Sequence, residues 1–182
     1  GEINQEDRTF VGSPWPTLQT GAQFNASYKN FSFNMQWIGV FGHTLMNGVR
    51  REIDSYQNTN FRADISPWSP NNTNTTDPRI GVSVGDPGLI DNARLESDRW
   101  LEDGSYIRLR NLEVAYNFNS SLLQRWNVSN SRVFVSGQNL LTFTKYSGLD
   151  PDVTGNGILQ RGFDNGNWPA SRIYSVGLQF EF

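Results

Sequence analysis

From Tyr174 to Phe182 every second residue is apolar: Tyr174, Val176, Leu178, Phe180 and Phe182. Between them stand Ser175, Gly177, Gln179 and Glu181. Successive side chains of a strand point to opposite faces, so this segment has one greasy face and one mostly polar face. It runs into a terminal aromatic with no polar tail. Such a strand fits the last strand of a bacterial outer-membrane barrel, and also the final strand of a soluble sandwich.

Four earlier stretches carry the same period. Residues 17–28 set Leu18, Ala22, Phe24, Ala26 and Tyr28 against Gln19, Gln23 and Asn25. Residues 30–41 set Phe31, Phe33, Met35 and Trp37 against Asn34 and Gln36. Residues 105–118 alternate cleanly from Asn111 onward, with Leu112, Val114 and Tyr116 opposite Asn111, Glu113 and Ala115. Residues 132–143 put Val133, Val135, Leu141 and Phe143 on one face, and 172–182 is the fifth strand. One stretch breaks the rule. Arg108 and Arg110 fall in the apolar register while Ile107 and Leu109 do not. Either a bulge switches the faces, or the two arginines stand above the hydrocarbon layer.

The connectors alternate in length. Lys29-Asn30 and residues 119–130 are short; residues 43–104 and 144–171 are long. Bacterial barrels have short periplasmic turns and long outer loops, which makes 1–16, 43–104 and 144–171 outer loops and the C-terminus periplasmic. Complete barrels of this kind have an even strand number, so five strands require further strands upstream. Leu45, Val49 and Ile53 recur every four residues and predict a short helix, with another helical turn at 120–126.

Composition suits this class. Charged residues make up 18% and aromatics 13%, as expected of aromatic girdles outside and uncharged polar groups inside. A net charge of -3 offers no basic footprint, so nucleic acid is excluded as a partner. No apolar run approaches the ~18 residues of a spanning helix. With no cysteine and a single histidine, the chain supports no transition-metal site, and His43 reads as a rim residue facing water. No cofactor is implied. Asp150, Asp152, Thr154 and Asn156 have the odd-position spacing of a calcium loop, but Arg161 stands where the bidentate glutamate belongs. No nucleophile motif accompanies His43, and the neighbouring carboxylates Glu102 and Asp103 point to opposite faces, so there is no enzyme signal.

Gln19, Gln23, Asn25, Asn34, Gln36 and Asn111 are expected to face the lumen. Trp68, Tyr146, Phe163 and Trp168 are loop aromatics that could touch a ligand or a lid protein, or pack among themselves. Trp15, Trp37, Trp100 and Trp126 read as girdle or strand-end aromatics.

Three segments resemble the SusC/RagA-type TonB-dependent transporters of Bacteroidota outer membranes. They are SDRWLEDGSYIRLRNLEVAYNF at 97–118, VFVSGQNLLTFTKYSGLDPDV at 133–153 and RIYSVGLQFEF at 172–182. Ser136-Gly137-Gln138-Asn139-Leu140, with Asp150-Pro151 downstream, is the most specific element. The resemblance implies an all-β transmembrane antiparallel barrel of about 22 strands around a plug, this chain being its last five strands. It further implies import of glycans or peptides, driven by the TonB system through the N-terminal part, under a SusD-like surface lipoprotein. The remaining barrel and plug, outer-membrane lipid and the barrel-assembly machinery would be partners, the last reading Tyr174, Val176, Leu178, Phe180 and Phe182. A soluble β-sandwich carbohydrate-binding module and a passive porin-type barrel are the competing readings.

Overall fold

A computed structural model describes residues 6, 8–54, 62–79, 97–118, 128, 130–153 and 160–181. Phe182, Trp126, the helical turn expected at 120–126, and Thr154 and Asn156 lie outside the described residues. Along the chain run β1 (Leu18–Tyr28), β2 (Phe31–Phe41), β3 (Thr44–Asn47), α1 (Gly48–Ile53), a 3-10 turn (Asp98–Trp100) and β4 (Leu101–Asp103). They are followed by β5 (Tyr106–Phe118), β6 (Asn130–Thr144), β7 (Phe163–Asp164) and β8 (Ile173–Glu181).

The long strands form one antiparallel sheet in the order β1-β2-β5-β6-β8. Register explains why alternation holds across all five. Asn25 pairs with Asn34, Asn34 with Glu113, Glu113 with Ser136 and Ser136 with Ser175, so one row of polar residues crosses the whole sheet. On the opposite face Ala26, Phe33, Val114, Val135 and Val176 form the matching apolar row. This face is bare: Val176 is 77% exposed, and Tyr28, Tyr174 and Leu178 are also exposed. A sandwich would lay a second sheet across it. The second sheet found here has three short strands, in the order β4-β3-β7, drawn from the two long connectors. The soluble-sandwich reading is therefore set aside.

Aromatic residues gather at both ends of the bare face. Phe31 meets Tyr116 edge-on at 5.0 Å, and Tyr116 meets Phe118 at 5.1 Å. At the far end Trp37 stacks on Phe143 at 6.3 Å. Phe31 and Phe41 close the two ends of β2, a strand of 11 residues. At about 3.3 Å per residue and a tilt of about 40°, β2 climbs about 25 Å, the height of an apolar band in lipid.

The first hairpin turns on Lys29, whose φ is 55°, and Asn30. Asn30 ties the turn to β5: its side-chain amide donates to the Asn117 carbonyl at 2.6 Å, and the Asn117 N–H donates back to the Asn30 carbonyl at 2.8 Å. The strands β1 and β8 end the sheet, each with one unpaired edge among the described residues. Unpaired edges are not tolerated in hydrocarbon, so this sheet is built to be continued by further strands.

The long connector over 43–104 holds β3, α1 and β4. The predicted helix is shorter than its periodicity suggested: Leu45 belongs to β3, and α1 starts after Asn47, whose side chain accepts from the Arg50 N–H at 2.9 Å. That cap replaces a lost backbone partner at the helix start, which is why the helix begins there.

Candidate functional site

The polar face and the long connectors meet at one irregularity. Gln36 pairs with Asn111, but the next β2 residue, Trp37, pairs with Leu109. Arg110 is left without a partner, and two β6 residues, Asn139 and Leu140, stand opposite it. Asn139 has φ 53°, a left-handed conformation that asparagine tolerates better than most residues, and its side-chain amide donates to the Ser171 carbonyl at 3.1 Å. The bulge answers the question the two arginines posed. It switches the faces, so Leu109 and Ile107 join the apolar face while Tyr106 and Arg108 turn inward.

Arg108 is 1% exposed. A buried guanidinium must be paired, and this one is paired on every side. Its Nε donates to Thr142 Oγ1 at 3.0 Å, one terminal nitrogen donates to Asp150, and the other lies 3.4 Å from Asp152. Asp150 in turn accepts from the Asp152 and Ala170 N–H groups, each at 2.9 Å. The two carboxylates considered as calcium ligands thus both face a guanidinium. Through them the long connector after β6 is fastened to the barrel wall.

A second polar cluster holds the connectors to each other. Glu102 accepts from the Ser147 N–H at 2.7 Å, the Ser147 hydroxyl at 2.7 Å, the Asn47 amide at 3.1 Å and Arg50 at 3.4 Å. Burial works against the Glu102 charge, yet these donors outweigh it and hold its pKa below the ordinary 4.5. Buried Asp54 faces Arg62 at 2.9 Å and Arg50 at 3.6 Å. The Tyr146 hydroxyl donates to Asp164 at 2.5 Å. Burial first, and then that carboxylate, pushes the Tyr146 pKa well above its usual range.

No protein-family model matches the sequence. TonB-dependent receptor P3 of Formosa agariphila is 37% identical over 188 residues, a match to 100% of this chain and 18% of that protein. The TonB-dependent receptor SusC of Bacteroides thetaiotaomicron is 25% identical, again over 100% of this chain and 17% of its own length. The solved RagAB peptide importer in its closed-closed state superposes with a TM-score of 0.78 at 25% identity, over 95% of this chain and 18% of that one. This chain is a barrel segment of a SusC/RagA-type TonB-dependent receptor. It spans less than a fifth of the length of the relatives it matches.

Within this receptor segment, five of the six amides expected to face the lumen form connected pairs on the polar face. Asn25 and Asn34 hydrogen-bond to each other, and Asn111 donates to Asn34 at 3.3 Å. Gln23 pairs with Gln36 in register, and Gln36 with Asn111. Gln19 and Gln36 border the same cavity. The loop aromatics do not come together. Trp168 is 97% exposed and Trp68 is also exposed. Phe163 is half-buried in β7 under the Arg51 guanidinium, 5.5 Å from its ring centre. Tyr146 is 5% exposed, so its ring is core rather than contact surface. Trp100 is likewise buried beneath Arg99 and is no girdle residue. His43 is buried too, not water-facing, and burial lowers its pKa below the ordinary 6.5 against the opposing pull of Asp103.

The residues missed by reading the sequence are Arg108, Asp150, Glu102 and Asp164. Their signal was weak but present. Two arginines out of register mark a bulge, and Asp150-Pro151-Asp152 in the following connector offers matching charge.

Proposed function

We propose that the receptor containing this segment imports polar oligomers, glycans or peptides, across the outer membrane with energy from the TonB system. A SusD-like surface lipoprotein would cover its outer mouth. The observation that carries the reading is the pairing of a five-strand polar ladder, amides and hydroxyls around the single carboxylate of Glu113, on one face with a lipid-height apolar band on the other. Uncharged amides exchange hydrogen bonds with a passing polar chain without holding it as tightly as fixed charges would. The RagAB relative is a peptide importer by description, and SusC and P3 are TonB-dependent receptors, which supports the same role here.

Uptake of labelled oligosaccharides and peptides by cells carrying the intact receptor tests this. Uptake should vanish when TonB is deleted; passage that persists without TonB would make the protein a passive pore. The apolar row of β8, with Phe182, would serve as the assembly signal at a periplasmic C-terminus. Removing Phe182 should lower the receptor's outer-membrane level, and an unchanged level would refute that role.

A further inference from the structure

A cavity of about 500 Å³ opens on the polar face, between the upper barrel wall and the outer connectors. Gln19 and Gln36 supply its wall, Arg110 enters from the bulge, and His43, Asp152 and Arg161 come from the connectors. Charge in this space does not balance. Arg108 and Asp150 neutralise one another within the wall. That leaves the guanidiniums of Arg110 and Arg161 against the single carboxylate of Asp152. Arg110 is half exposed and reaches Asp152 only at 3.9 Å. Arg161 has its guanidinium over the Trp15 ring, 4.1 Å from the ring centre, and no carboxylate among the described residues pairs with it. Stacking engages the face of a guanidinium and leaves its in-plane N–H groups for a planar anion. A third group is also unsatisfied: His43 Nδ1 is buried without a hydrogen-bond partner.

We infer that this cavity is a carboxylate-selecting subsite, in which Arg110 and Arg161 clamp a carboxylate of the transported oligomer while Gln19 and Gln36 hydrogen-bond its neutral part. The inference rests on the importer reading and sharpens its substrate class. A carboxylate can come from a peptide C-terminus or from an acidic sugar, and a two-arginine clamp serves either.

Binding to the purified intact receptor by calorimetry, with two matched probe pairs, decides. The pairs are trialanine against trialanine amide, and trigalacturonate against galactotriose. In at least one pair the acid should bind about tenfold tighter than its neutral match, the scale of one or two charge-assisted hydrogen bonds. The Arg110→Gln/Arg161→Gln double variant should abolish that preference, the acid falling to the affinity of its neutral match. The pair that shows the preference identifies the source of the carboxylate. Equal binding within both pairs, no binding of any probe, or a preference that survives in the double variant overturns the subsite. Heat-modifiable migration of the variant on gels checks that its barrel is intact. TonB dependence of uptake is scored separately. Arginine-dependent preference with TonB-independent uptake keeps the subsite and refutes the energised importer, and the converse result does the opposite.

Discussion

The lipid-facing wall and the long connectors are made from the same chain but held together by different forces. The wall's apolar rows touch little within the chain; Tyr174, Val176 and Leu178 are largely bare and gain their stability from hydrocarbon. The connectors are held by Arg108, Glu102, Asp54 and Asp164, each partly or wholly buried and each needing named partners. A wall residue can be exchanged for any apolar one of similar size. A connector residue cannot, because its partner would be left buried and unpaired.

Charge substitutions on the two faces of the wall probe this difference most strongly. Leu112→Arg, near the middle of the apolar band, should destabilise the intact receptor by about 2–4 kcal/mol in bilayer unfolding experiments. Ser136→Arg, on the opposite face, should cost under about 1 kcal/mol; equal costs would mean the faces are wrongly assigned. Next comes the clamp. Arg108→Met leaves Asp150 and Asp152 without their main cation and should cost about 3 kcal/mol locally, read as faster proteolysis of 145–171. Adding Asp150→Asn should restore part of the protection. A smaller effect, about 1–2 kcal/mol, is expected for Tyr146→Phe, which deprives Asp164 of one donor while the Gly166 and Asn167 N–H groups still serve it. The smallest is set by pH. Because the Glu102 pKa is lower folded than unfolded, its contribution is fully present above about 4.5 and lost as pH falls through the folded value. Protease resistance of the connectors should be flat above pH 5 and fall below it, and Glu102→Gln should flatten that fall.

How legible each region was follows from the same contrast. Alternation at Phe31, Phe33 and Met35 is a local signal with period two, and lipid rewards nothing more specific, so the sheet could be read from the sequence. The connector partners are far apart in the chain. Asn47 meets Ser147 across 100 residues and Arg108 meets Asp150 across 42, and no periodicity links such pairs. The three-residue strand β4 forms because Glu102 finds partners in Asn47, Arg50 and Ser147, not because its own sequence favours a strand. Reading His43 as a water-facing rim residue failed, Trp100 is buried rather than in a girdle, and Tyr146, open to either contact or packing, is packed; side-chain type alone carries no signal of such burial.

The bulge at Arg110 also bears on how such a gene can change. Loss of that one codon would restore a simple alternation and look like a repair. Leu109 would then directly precede Asn111, so Leu109 and Ile107 would stay on the apolar face and Arg108 on the polar one, whereas loss of any other single residue between Asn111 and Tyr116 would turn everything above it to the other side and bring Arg108 into lipid. A compensating gain of one residue nearby would undo that second kind of damage, so losses and gains in this strand outside the bulge should occur in pairs. Changes of length that need no such pairing belong in the long connectors.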